Sequence, residues 1–140
     1  MIAYDFIIIG SGIAGLSFAL RASRLGRVAL ITKRSRGDSN TAWAQGGIAC
    51  VTSSEDSFEL HVQDTLEAGA GLCDERIVRL IITDGPERIR DLLQLGVNFD
   101  EREDGPGLDL TKEGGHSKRG TLLARHATGR EIERALLDAV

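Results

Sequence analysis

The sequence predicts an α/β fold built on a crossover between two parallel strands, and three observations predict it. Ile2 to Ile9 is a nearly continuous apolar, β-rich run, as expected of a central strand covered on both faces. A GxGxxG turn follows at once: Gly10-Ser11-Gly12-Ile13-Ala14-Gly15. A helical stretch and a second apolar run, Val28 to Thr32, then arrive within about 30 residues, the size of one right-handed βαβ unit. In that order these parts make a Rossmann-like dinucleotide-binding start.

Each later element has its own signal. Ile13 to Leu25 carries apolar residues at helical spacing, and Gly26 is expected to end that helix in the left-handed conformation. Lys33 to Gly47 is polar and glycine-bearing, which predicts a loop; Ile48 to Thr52 predicts a short strand. Ser57 should cap a helix reaching Ala68, with Phe58, Val62 and Leu66 on one face and His61 on the solvated side. A helix starting at Asp74 should break at Asp84-Gly85-Pro86, and a separate one should run from Pro86 to Leu95 and stop at Gly96. Short strands are expected over Val97 to Phe99 and Leu108 to Leu110, and a loop over Gly114 to Gly120. Thr128 and Glu131 have capping-box spacing, predicting a helix from about Gly129. That helix is still in register at Val140, so the expectation is that residues 1–140 form the N-terminal part of a larger domain.

Composition narrows the function classes. A formal charge of −4 argues against nucleic acid as the main partner, because phosphate binders carry a net basic face. Nothing approaches the roughly 18 apolar residues of a membrane span, and no targeting segment is visible, which predicts a cytoplasmic protein. The two cysteines, Cys50 and Cys73, read as reduced thiols. The three histidines lack ligand-like spacing, so no metal is expected.

The glycine turn carries the binding chemistry. Gly10 permits the turn out of the strand, Gly12 lets backbone approach a pyrophosphate, and Gly15 lets the helix pack near the strand. The helix start offers N–H groups and the positive end of its dipole to the diphosphate. At the end of the second strand the usual ribose-binding acid is replaced by Ile31-Thr32-Lys33-Arg34. Spacing alone leaves two readings open there: a ribose held by neutral groups or Lys33, or a cofactor whose 2′-phosphate needs a cation.

The stretch Ser39-Asn40-Thr41-Ala42-Trp43-Ala44-Gln45-Gly46-Gly47 adds a second glycine pair, which lets backbone lie close to a planar ligand. With the first turn, it resembles the flavin-contacting segment of the succinate dehydrogenase and fumarate reductase flavoprotein family. The likeness extends through Leu66 to Leu72, Glu113-Gly114-Gly115-His116-Ser117 and Ala127 to Glu131, and is strongest to the family's L-aspartate-oxidising branch.

The resemblance implies noncovalent FAD as cofactor. Gly10, Ser11, Gly12, Ile13, Ala14 and Gly15 would form its pyrophosphate turn, Lys33 would lie on the adenosine side, and Asn40, Thr41, Ala42, Trp43, Ala44, Gln45, Gly46 and Gly47 would wrap the isoalloxazine. Respiratory relatives carry a flavin-linking histidine at the Asn40 position, and an asparagine amide supplies no such nucleophile. Glu113 would orient a substrate ammonium, where succinate-oxidising relatives have an apolar residue, through a charge-assisted hydrogen bond. His116 and Ser117 would line the dicarboxylate pocket. The implied activity is oxidation of L-aspartate to iminoaspartate, with dioxygen or fumarate as electron acceptor, opening de novo NAD synthesis. The family's remaining substrate-clamping residues would fall beyond Val140, so the segment alone is expected to lack turnover. Two alternatives stand beside this: a fumarate reductase or succinate dehydrogenase flavoprotein, and a non-catalytic dinucleotide-binding fragment. His126 is expected at the surface, and Lys118, Arg119 and Arg125 on a solvated basic face.

Overall fold

A computed structural model describes residues 2–124 and 127–140; the expectations for Arg125 and His126 lie outside the described residues. The chain divides into two units, the first running to Gly46 and taking in Leu95–Asn98 and the C-terminal helix. The second comprises Gly47–Gln94 and, among the described residues, the segment from Phe99 to Ala124.

The first unit is the predicted crossover. Strand β1 (Phe6–Ile9), helix α1 (Ile13–Ala22) and strand β2 (Val28–Ile31) follow in order, and β1 and β2 pair in parallel with Phe6 opposite Val28 and Ile9 opposite Ile31. α1 covers one face: Leu16, Ala19 and Ala22 are buried, as is Ile8 of the strand. Coverage of both faces is not met among the described residues, because Ile7 is 66% and Ile9 86% exposed. The strand's apolar alternation is therefore half satisfied here. α5 (Thr128–Ala139) packs on α1 and buries Ile132, Ala135 and Leu136.

Two helix ends differ from expectation. α1 stops at Ala22, and Gly26 does not adopt positive φ. Its role is close approach: a Cβ there would lie 2.7 Å from Asp5 Oδ2, which accepts from Arg27 N–H at 2.8 Å. At α5 the capping box does not form. Ala127 is the N-cap, Thr128 is already helical, and the Glu131 carboxylate accepts instead from Asn98 N–H and Nδ2 at 2.9 Å each. In place of the cap it takes this long-range backbone donor together with the local Arg134 guanidinium, at 2.7 and 2.8 Å.

In the second unit, β3 (Ile48–Ala49), β4 (Leu110–Thr111) and β5 (Thr121–Leu122) form an antiparallel sheet in the order β3-β5-β4. Val97 to Phe99 is not a strand; an isolated antiparallel bridge forms just after it, between Glu101 and Leu108. Ser57 caps α3 (Phe58–Ala68) as expected, accepting from Leu60 N–H at 3.2 Å. α4 runs unbroken from Glu75 to Gln94 with Pro86 inside it, against the expected break. An interior proline costs about 3 kcal/mol, and the buried pair Ile82 and Ile89 flanking it, at about 1.5–3 kcal/mol each, offsets that. Arg79 adds a bidentate tie from α4 to Glu59 of α3, at 2.8 and 2.9 Å. Gly96 ends the run at φ +83°, as predicted. Among the described residues no helix is long and apolar enough to cross a membrane.

Candidate functional site: the glycine turn and the segment beside it

Each glycine of the turn has a measurable task. Gly10 sits at φ +108°, a conformation that side chains resist, with open space around the position of a Cβ. At Gly15 the limit is space: a Cβ would fall 2.0 Å from the Gly10 carbonyl oxygen, so only glycine lets α1 start this close to β1. Gly12 is the N-cap of α1, in extended conformation and with no side-chain cap. A Cβ there would meet only the Thr41 hydroxyl, at 3.3 Å. Apart from the Thr41 hydroxyl, no side chain lies within 4 Å of a Cβ at Gly10 or Gly12, and a cofactor pyrophosphate fits a turn left that open. Ser11 is buried and donates from its hydroxyl to Thr32 Oγ1 at 3.2 Å, linking the turn to the end of β2. Lys33 follows on the surface.

The predicted loop over Lys33 to Gly47 contains a short helix, α2 (Asn40–Trp43), which the polar composition concealed. Ser39 caps it, accepting from the N–H groups of Thr41 and Ala42 at 3.1 and 3.3 Å. A serine before a helix start is the local signal for this helix. Thr41 Oγ1 accepts from Ile13 N–H at 3.0 Å, bringing the two glycine-rich segments together at the phosphate turn. Asn40, Trp43, Ala44, Gln45 and Gly46 are exposed, while Thr41 and Ala42 are half-buried.

Gly47, in the second unit, has a structural duty besides any ligand contact. A Cβ there would lie 2.4 Å from both the Leu122 carbonyl oxygen and Thr121 Cγ2. The double glycine therefore combines a tightly packed position with an open one, since nothing lies within 4 Å of a Cβ on Gly46.

The second unit also carries the predicted substrate residues, on the connection between β4 and β5. Glu113 is exposed, and its carbonyl accepts from His116 N–H at 3.3 Å in a turn with Gly115 at φ +85°. Ser117 donates from its N–H and hydroxyl to Asp64 of α3, at 2.5 and 2.7 Å. These two bonds hold the Asp64 carboxyl below the usual carboxylate range. His116 meets His61 edge-on, with ring centroids 5.1 Å apart, and its buried Nδ1 has no hydrogen-bond partner among the described residues.

His61 is thus buried, not solvated as expected, because α3 turns it toward the Glu113 loop. Burial, then the neighbouring His116, pushes its pKa down. A cavity of about 780 Å³ takes Ser117, Lys118 and Arg119 into its wall with Lys112, but neither Glu113 nor His116. Cys50 and Cys73 are free thiols, and burial pushes Cys50 up to about 11.

Known proteins extend this geometry. The tobacco (Nicotiana tabacum) protein named L-aspartate oxidase 2-a, chloroplastic, is 56% identical over 137 residues, which is 98% of this chain and 21% of that protein. The Vibrio cholerae L-aspartate oxidase is 48% identical over 138 residues, covering 96% of this chain and 26% of that one. Among solved structures, E. coli quinol fumarate reductase superposes with a TM-score of 0.89 at 32% identity, over 97% of this chain and 24% of that chain. This chain therefore spans roughly a fifth to a quarter of the length of the relatives it matches. The family described as FAD binding domain matches residues 5–140, so a turn shaped for a diphosphate finds its family: the chain belongs to the FAD binding domain family.

Proposed function

We propose that this chain is part of an FAD-dependent enzyme that oxidises L-aspartate to iminoaspartate, with dioxygen or fumarate taking up the electrons, as the opening step of de novo NAD synthesis. The observation that carries the reading is the 56% identity to a protein named L-aspartate oxidase over 98% of this chain. FAD, when bound, supplies the two-electron acceptor for the dehydrogenation. Gly10 to Gly15 would bind its diphosphate through backbone N–H groups, and Lys33 would face the adenosine end. Asn40 to Gly47 would line the ring system, with Asn40 unable to form the covalent link a histidine makes. Glu113 would orient the substrate ammonium, with His116 and Ser117 on the same short connection near the dicarboxylate. A cytoplasmic location without a membrane partner belongs to the same proposal, as does the absence of a nucleic-acid partner, which the net charge of −4 supports.

The test uses the full-length protein. It should purify yellow, release its flavin on acid precipitation, and evolve hydrogen peroxide when L-aspartate is added in air. Turnover of succinate without aspartate would favour the fumarate reductase reading. A colourless protein that takes up no added FAD would overturn both.

A further inference from the structure

Among the described residues Glu133 is the most deeply buried charged one, 2% exposed, and the proposed chemistry gives it no task. A buried carboxylate is costly unless its oxygens are well satisfied. Yet no cation pairs with it among the described residues, and its one hydrogen bond comes from the Ser39 hydroxyl, at 2.6 Å. That length is typical of a hydroxyl donating to a carboxylate. A departure of this kind from ordinary core composition is expected where a side chain sets the geometry of a site.

The Ser39 hydroxyl explains what the carboxylate sets. Its oxygen already accepts from Thr41 and Ala42 N–H, so its single proton must leave in another direction, and Glu133 receives it. Glu133 thereby fixes the rotamer that caps α2. At the other end of α2, Gly129 N–H donates to the Ala44 carbonyl at 3.1 Å, and a Cβ on Gly129 would clash with the Thr41 carbonyl oxygen. α5 thus grips α2 at both ends. Between them Thr41 Oγ1 accepts the Ile13 N–H at the start of α1, inside the phosphate turn.

We infer that Glu133 is a positioning residue for FAD: through the Ser39 cap it holds α2 so that Thr41 stays seated on the phosphate turn. The inference rests on the reading that this turn and α2 contact the cofactor. Glu133 itself is 94 residues from Ser39 in sequence and need not touch the cofactor.

The experiment measures FAD Kd by flavin fluorescence on the full-length apoprotein, beside the apoprotein's melting temperature. Glu133→Ala and Ser39→Ala should each weaken FAD binding about fivefold to tenfold, the scale of a lost N-cap. The double variant should be no worse than the weaker single one, because both delete the same link. If Glu133→Ala does not fold, Glu133→Gln keeps the shape and an acceptor and should lose about twofold to fivefold. A merely structural Glu133 would lower the melting temperature and leave Kd within about twofold of wild type, and that result overturns the inference, as do single effects that multiply in the double variant. Wild-type protein that binds no FAD would overturn the underlying reading instead, so the two failures are distinguishable.

Discussion

Ser117 gives both its N–H and its hydroxyl to a single carboxylate, Asp64, at 2.5 and 2.7 Å. One turn earlier on the same helix, His61 meets His116 edge-on. Two residues of α3 therefore fasten two consecutive residues of the loop that carries Glu113. If that loop positions substrate, the fastening sets how much of its order is in place before substrate arrives.

Asp64→Ala should raise the KM for L-aspartate about fivefold to tenfold in the full-length enzyme, the scale of about 1 kcal/mol for a partly exposed charged hydrogen-bond pair. Asp64→Asn, which keeps one acceptor oxygen, should lose less. Steady-state kinetics decide, and an unchanged KM in both variants would show that the loop needs no such anchor.

The glycines of the turn separate folding from binding. Gly15→Ala puts a methyl 2.0 Å from the Gly10 carbonyl oxygen, so it should lower the apoprotein's melting temperature and abolish FAD binding together. Gly12→Ala meets only the Thr41 hydroxyl at 3.3 Å and should leave the apoprotein's stability within about 1 kcal/mol of wild type. Its FAD affinity should nevertheless fall at least about tenfold, because the methyl enters the space a diphosphate would use. Thermal melts and FAD titrations on the two variants test this, and equal affinity in Gly12→Ala and wild type would refute it.

Glu113→Gln should reduce aspartate turnover far more than fumarate reduction, since only aspartate brings an ammonium for a carboxylate to hold. A difference of about tenfold or more is expected from loss of a charge-assisted bond. Equal losses with both substrates would remove Glu113 from the substrate site.

His61 makes stability fall on the acid side. Burial, followed by His116, lowers its pKa from the ordinary 6.5, with Asp56 and Asp64 opposing. The unfolded chain then takes up the proton at higher pH than the folded one. This contribution is complete above pH 6.5 and is lost as pH falls through the folded-state pKa. In His61→Gln the melting temperature should fall less than in wild type between about pH 6.5 and 5. Asp64, also lowered, keeps its contribution above its ordinary 3.8 and loses it as pH falls through its folded-state pKa.

Local patterns read correctly where local forces decide. The parallel crossover, the Ser57 cap and the stop at Gly96 each rest on a few neighbouring residues, and the structure contains all three. Three of the departures share one feature, long-range packing or pairing outweighing a local preference. Pro86 stays inside α4 because Ile82 and Ile89 are buried on either side of it. Glu131 leaves its capping box for Asn98, and His61 is buried against a residue 55 positions away.

The sequence by itself determined the βαβ start and the glycine turn, because backbone conformation and the room a Cβ needs are properties of single residues and their neighbours. It also placed Glu113, His116 and Ser117 on one short connection. Only the tertiary structure decided that Glu133 would hold Ser39, that Thr41 would sit on the phosphate turn, and that Asp64 would fasten the Glu113 loop. Those pairings link segments 28 to 94 residues apart, and a one-dimensional pattern carries no distance between such residues until the core brings them together.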